Sequence, residues 1–176
     1  MTTTASRVTI RPATRADARA LGRLGALLVR THHEFDPLRF VPATPDTERG
    51  YGSWLGSQTN KDDVIVLVAV RDDDVLGYTY AGNEGFDYMS LRGPAGIIYD
   101  IVVDPAHRAQ GVGQMLLDAT IQALTARGAP RILLSTAEQN EPAQRMFARA
   151  GFRRTMIEMT REVGGASDDR LRNRDR

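Results

Sequence analysis

The 176-residue chain contains no cysteine. Disulfides, thiolate metal sites and a cysteine nucleophile are therefore excluded. Histidine is scarce, with three copies at His32, His33 and His107. His32 and His33 are neighbours, and on a helix they diverge by about 100°, so they do not easily share one ion. No metal is expected. No apolar run approaches the ~18 residues of a membrane span, so no membrane partner is expected. The stretch Met1 to Arg7 lacks the apolar segment of a secretion signal, and the chain is expected to be cytoplasmic. An excess of positive charge is missing too. Lysine and arginine number 23 against 22 acids, for a net +1. That balance gives no electrostatic case for a nucleic-acid partner.

What remains is the make-up of one enzyme-sized globular unit. Hydrophobic residues are 41% of the chain, enough to build a core. A single domain over residues 1–163 is expected. Residues 164–176 open on glycine and are polar with mixed charge, so they are expected to form a disordered tail.

Periodicity orders the elements. Arg7–Pro12 alternates as a strand. A helix from Thr14 to about His33 carries the stripe Ala20, Leu21, Leu24, Leu27 and Leu28, with Thr14 and Asp17 placed to cap it. A proline-punctuated loop, Phe35–Pro45, leads to a short helix over Asp46–Gly56. Val64–Val70 and Val75–Gly82 read as a hairpin around the charged turn Arg71–Asp74. After a loop over residues 83–94, Ile97–Val103 is the most strand-like segment and Asp104-Pro105 ends it. A helix to Arg127, a strand Arg131–Ser135, a helix Asn140–Ala150 and a strand Phe152–Glu162 follow. The fold class is mixed α/β with order β-α-α-β-β-β-α-β-α-β. The late β-α-β unit makes Ile97–Val103 and Arg131–Ser135 parallel neighbours.

Between the strongest strand and its helix stands Arg108-Ala-Gln-Gly-Val-Gly113. A helix N-terminus exposes unpaired N–H groups and partial positive charge, and it seats phosphate well. Glycines let a bulky anion approach the backbone. The turn therefore reads as a diphosphate cradle. It is neither a dinucleotide fingerprint, because Leu116 stands where the third glycine is needed, nor a P-loop, because Gln114 follows Gly113.

Arg108-x-x-Gly111-x-Gly113 resembles the [QR]-x-x-G-x-[GA] turn of the GNAT superfamily of acetyl-CoA-dependent N-acetyltransferases. Downstream, Asn140-x-x-Ala143-x-x-Met146-Phe-Ala-Arg-Ala-Gly-Phe152 is similar to that family's N-x-x-A-x-x-L-Y-x-x-x-G-F. The element order fits the GNAT-type single domain over residues 7–162.

The resemblance implies transfer of an acetyl group from acetyl-CoA, the co-substrate, to an amine. It implies that N–H groups of Arg108, Ala109, Gln110, Gly111, Val112 and Gly113, with Gln114 beside them, hold the pyrophosphate. The backbone of Ile101, Val102 and Val103 would pair with the pantetheine arm, and a β-bulge around them would splay the parallel strands. An N–H there, of Val102 or Val103, would polarise the thioester carbonyl. Asn140 would contact the pantetheine end. Asp100 is the leading candidate for the base, because the family's alternative acid position on Arg131–Ser135 holds Ser135. Its neighbour Tyr99 is expected on the opposite face of the strand. A buried structural role, or ammonium binding without proton transfer, stays open for Asp100. Phe147 occupies the place of the family's proton-donating tyrosine and cannot donate. It is expected to pack on the cofactor or in the core, leaving Tyr99, Tyr80, water or no acid at all for the thiolate.

Family members choose substrates through the region after the first helix and the loop before the cofactor strand. Here those carry Glu34, Phe35 and Asp36, and Asp87 and Tyr88. Acids beside aromatics favour a small cationic amine. The alternatives are a non-catalytic acyl-CoA-binding module and a protein N-terminal or lysine acetyltransferase. Dimers are common in the family, so a homodimer is among the expected assemblies.

Overall fold

Strict alternation gives the central strands their two faces. Val66, Val68 and Val70 of one strand point into one core, while Ile65, Leu67 and Ala69 point into the other. A computed structural model describes residues 7–163, and the expected tail over 164–176 lies outside the described residues. The elements are β1 (Thr9–Pro12), α1 (Ala18–Phe35), α2 (Thr47–Gln58), β2 (Val64–Arg71), β3 (Asp74–Glu84), β4 (Ala95–Val103), α3 (Val112–Ala126), β5 (Ile132–Leu134) and α4 (Glu141–Arg149). They build one five-stranded sheet in the order β1-β2-β3-β4-β5. Every pairing is antiparallel except β4 with β5, which the crossover through α3 makes parallel.

Helices cover both faces. α1 and α2 lie over Val66, Val68, Val70, Tyr78 and Val102. Leu116, Leu117 and Leu124 of α3 and Phe147 of α4 cover the other face, over Ile65, Ala69, Leu76, Ala81 and Ile98. Ahead of α1, the Asp17 carboxylate accepts the Thr14 N–H at 2.7 Å and holds the Arg11 guanidinium through two 2.8 Å contacts. The expected cap at Thr14 and Asp17 is therefore formed, and it ties α1 to β1.

One expected element is not formed. Phe152–Glu162 reads as a strand but pairs with no other strand among the described residues. Phe152 turns inward, its N–H bonding the Phe147 carbonyl at 3.0 Å and its ring meeting Phe147 edge-on at 6.0 Å. Beyond it Met156, Ile157 and Met159 are exposed, and Glu158 pairs with Arg39 in the loop after α1. The apolar pattern is present, but the chain leaves α4 without lying along β5.

Candidate active site

The site begins with a register slip. Tyr80 pairs with Asp100, yet Ala81 pairs with Ile98, so Tyr99 is an extra residue in β4. This bulge overturns the expected alternation. The Tyr99 ring stacks on Tyr80 at 4.9 Å, and the Asp100 carboxylate meets Tyr78 and Tyr51, so both residues face α1 and α2. The bulge also lies earlier than expected, at Tyr99 rather than around Ile101 to Val103. The buried Thr79 hydroxyl pins it by donating to the Asp100 carbonyl at 2.9 Å.

Asp100 sits in an aromatic cup. Tyr78 donates its hydroxyl to Oδ2 at 2.9 Å, and Tyr51 of α2 donates to the same oxygen at 3.1 Å. Among the described residues Oδ1 has no hydrogen-bond partner, and it is not sealed from solvent. Burial raises the Asp100 carboxyl above the usual carboxylate range, while the two tyrosine hydroxyls and the His32 charge pull it back. Burial first, then the negative charge of Asp100, pushes the Tyr51 and Tyr78 hydroxyls upward, so both remain donors. The result is a carboxylate with one anchored and one available oxygen and an elevated proton affinity, as a base requires. His32 of α1 bonds the Leu28 carbonyl through Nδ1 at 2.9 Å, and since a carbonyl only accepts, Nδ1 carries the proton.

Beside this cup the sheet opens. β5 pairs with β4 only at Gly96, Ile97 and Ile98. From Asp100 to Val103, β4 pairs with β3 and with no other strand among the described residues. Ile101, Val102 and Val103, where the pantetheine slot is expected, present a backbone edge that β5 does not pair. It leads to the α3 N-terminus, where Met115 is the first residue to reach an intrahelical carbonyl, that of Gly111, at 3.0 Å. The N–H groups of Val112, Gly113 and Gln114 consequently point out of the helix end.

The glycines of that turn differ in kind. Gly111 has φ +81°, and a side chain there would meet nothing within 4 Å. A Cβ on Gly113 would stand 3.2 Å from Met146 Sδ and 3.6 Å from Val103 Cγ2. Ala109 also has positive φ, at 58°. The Arg108 Nε bonds the Val103 carbonyl at 3.2 Å, tying turn to strand, and Gln110 takes the Arg71 guanidinium at 3.2 Å. Gln114 spends its amide on Asp118 at 2.8 Å. The open backbone edge, the exposed helix end and the empty space over Gly111 together suit an extended carrier ending in a diphosphate. Asn140 caps α4 through the Ala143 N–H at 3.4 Å. Phe147 is 5% exposed and packs in the core under α3, one of the two places expected for it.

The expected substrate residues divide. Glu34 is exposed, and Phe35 packs edge-on against His32 at 6.0 Å. Asp36 accepts the N–H groups of Leu38 and Arg39, and Asp87 accepts those of Met89 and Ser90, so both carboxylates shape turns. Tyr88 stacks on Phe86 at 5.9 Å, well exposed. The wall next to Asp100 comes from elsewhere. Trp54 meets Tyr80 at 5.0 Å and Tyr51 at 5.9 Å, Tyr80 stacks on Tyr99, and the Tyr99 hydroxyl donates to Glu84 at 2.6 Å. Among the described residues no group of three acidic or histidine side chains is placed to hold a metal ion.

Residues 28–152, more than half of the chain, match the family model described as the acetyltransferase (GNAT) family. The chain belongs to the GNAT acetyltransferase family. That family uses acetyl-CoA, in accord with the open slot and helix end. Among curated relatives, a mycothiol acetyltransferase of Clavibacter michiganensis subsp. michiganensis is 33% identical over 97 residues, covering 55% of this chain and 30% of its own. Another, from a Nocardioides species, is 29% identical over 142 residues, covering 77% of this chain and 46% of its own. The chain thus spans less than half the length of these relatives. Among solved structures, a point mutant of the BH1408 protein of Bacillus halodurans superposes with TM-score 0.76 at 21% identity, over 88% of this chain and 99% of that one. The aminoglycoside N-acetyltransferase AAC(6')-Iy in complex with CoA gives 0.65 at 18% identity, over 93% and 99%. At such identities these structures speak for the fold alone.

Within this GNAT domain, sequence reasoning missed Tyr51, Tyr78, His32, Trp54 and Thr79. Tyr78 had a signal, since it shares a strand face with Tyr80. Tyr51 had none in its own segment, because its approach to Asp100 depends on how α1 and α2 pack.

Proposed function

We propose that this domain transfers an acetyl group from acetyl-CoA directly to a primary amine on a small cationic molecule. The observation that carries this reading is the Asp100 carboxylate, held by two tyrosines through Oδ2 and available through Oδ1, at the open end of the β4–β5 slot. Acetyl-CoA, when bound, supplies the thioester; the C–N bond of the product forms at its acetyl carbon as the C–S bond breaks and the thiolate leaves. The N–H groups of Val112, Gly113 and Gln114 face the diphosphate, and the edge of Ile101 to Val103 aligns the arm. Asp100 Oδ1 takes the proton shed by the attacking amine. The absence of cysteine removes any thiol relay.

The amine is recognised as a cation by Asp100 and by the faces of Tyr51, Trp54, Tyr80 and Tyr99. Tyr99 enters as part of this wall and not as the acid, since its hydroxyl proton is engaged by Glu84. Asp36 and Asp87 act through the turns they hold. The relatives named for mycothiol support a small polar acceptor. Exposed Met156, Ile157 and Met159 support a homodimer, which light scattering reads directly.

The test is thiol release with acetyl-CoA across a panel of polyamines, aminoglycosides, amino sugars, basic amino acids and peptides. Turnover on small cationic amines is expected. Turnover on peptides alone would favour the protein-acetylation alternative. A thermal shift with acetyl-CoA but no turnover on any amine would favour a binding module.

A further inference from the structure

Glycine inside a helix is unfavourable by about 1 kcal/mol relative to alanine. Even so, α1 holds Gly22 and Gly25, and α2 holds Gly52 and Gly56. Each stands where the two helices touch. A Cβ on Gly22 would run into the Glu48 carbonyl and reach 3.1 Å from the Gly52 Cα. One on Gly52 would lie 2.5 Å from the Ala18 carbonyl oxygen, and one on Gly56 would lie 3.1 Å from the Ala18 Cβ. These three bring the helix backbones together. Gly25 differs, because what stands against it is the ring of Tyr51. A Cβ there would be 2.5 Å from the Tyr51 Cγ and 2.7 Å from its Cε1. The volume that a side chain at position 25 needs is occupied by the ring whose hydroxyl reaches Asp100.

We propose that Tyr51 is a positioning residue for Asp100, seated by the missing side chain of Gly25. Asp100 is faced by Tyr78 and Tyr80 from β3, Tyr51 from α2 and His32 from α1. Tyr78 is fully buried in the sheet core and cannot leave. Tyr51 is half-buried and rides on α2, so its hydroxyl arrives only when α2 is docked on α1. With both phenols on Oδ2, the carboxylate plane is held and Oδ1 is the oxygen left for the amine. Loss of the Tyr51 hydroxyl frees the carboxylate to rotate and removes a donor that favours its charged form. The contact between α1 and α2 at Gly25 thereby sets the basicity and aim of the base. Its consequence for turnover rests on Asp100 acting as the base, whereas the state of Asp100 in the free protein does not.

The test is a carbon-13 carboxyl NMR titration of Asp100 in the free protein. The variants are Tyr51→Phe, Gly25→Ala, Tyr51→Ala and the Gly25→Ala/Tyr51→Ala pair. Tyr51→Phe is expected to raise the Asp100 midpoint by roughly one pH unit, the effect of losing a hydrogen bond to a charged acceptor. Gly25→Ala is expected to raise it in the same direction by displacing the ring. In the Tyr51→Ala background, Gly25→Ala is expected to move nothing further, because the volume is already empty. If Gly25→Ala alone fails to fold and the pair folds, the shared volume is supported. An unmoved midpoint in Tyr51→Phe would overturn the proposal, and so would a Gly25→Ala shift that persists without the Tyr51 ring. Full turnover by Asp100→Asn would remove the base role and leave the titration result standing. An inactive Asp100→Asn with an unmoved Tyr51→Phe midpoint would do the reverse.

Discussion

Replacing Gly111 with alanine separates the conformational use of glycine from its steric use. Gly111 has φ +81° and ψ −4°, and the space where a Cβ would sit is open. The substitution therefore meets no clash and bears only the strain of a left-handed alanine, about 1–2 kcal/mol. In a domain of this size that corresponds to a fall in Tm of roughly 2–8 °C. If the backbone relaxes instead, the N–H groups of Val112 and Gly113 turn away from the diphosphate. Each hydrogen bond to a charged acceptor contributes about 1.5–3 kcal/mol, so the acetyl-CoA Kd is expected to rise roughly 10- to 100-fold. Gly113→Ala is the control. Its Cβ meets Met146 Sδ at 3.2 Å, the end of a flexible side chain, and its helical position gains about 1 kcal/mol of propensity. It is expected to change Tm and Kd little. Differential scanning fluorimetry and titration calorimetry on both variants check this. Equal effects at the two positions, or no effect of Gly111→Ala on either quantity, would refute the division of labour.

Three further outcomes follow from the charges and packing. Asp17→Asn breaks a two-pronged pair in which the Arg11 guanidinium, half in solvent, holds the Asp17 carboxyl below the usual range. The stability that this pair contributes is present above the unfolded value of about 3.9 and is lost as pH falls through the lower folded value. Asp17→Asn is expected to lower stability by about 1–3 kcal/mol at neutral pH, and urea melts at pH 7 and pH 2.5 should show the difference shrinking. Asp100→Asn is expected to act oppositely. The raised Asp100 carboxyl makes stability fall as pH rises from about 3.9 through the folded value, so at neutral pH the charge is a full burden. Asparagine carries no charge and still accepts both tyrosine hydroxyls, so Tm should rise at pH 7 and not at pH 3.5; a fall at pH 7 would contradict this. Gly22→Ala drives a methyl into the Glu48 carbonyl, a backbone atom that cannot swing aside, and is expected to destabilise by several kcal/mol in a thermal melt.

Much of the sheet could be read from local pattern. Ile97–Val103 and the turn at Gly111 and Gly113 follow from apolar runs and glycine placement, and the parallel pairing of β4 with β5 follows from the crossover length. What escaped depends on pairs distant in sequence. Alternation puts Tyr99 and Asp100 on opposite faces, and only the partner strand, with Thr79 bonded to the Asp100 carbonyl, makes Tyr99 the extra residue. Tyr51 lies 49 residues before the carboxylate it touches, and Gly25, whose missing side chain admits the ring, carries no sign of that contact in its own segment. The segment after Gly151 has the apolar residues of a strand, but apolar pattern alone does not supply a neighbour. The charge of Asp36 and Asp87 suggests a cation site, whereas their place in the chain uses that charge on nearby N–H groups.

The central claim is that Asp100 takes the proton of the attacking amine while the helix end holds the carrier independently. The direct measurement is kcat of Asp100→Asn on the best amine of the panel, with the acetyl-CoA Kd of the same preparation. A loss of about 10²–10⁴-fold in kcat with Kd unchanged is expected. A kcat that stays near the wild-type value, or a Kd that rises in step with the loss, would contradict it.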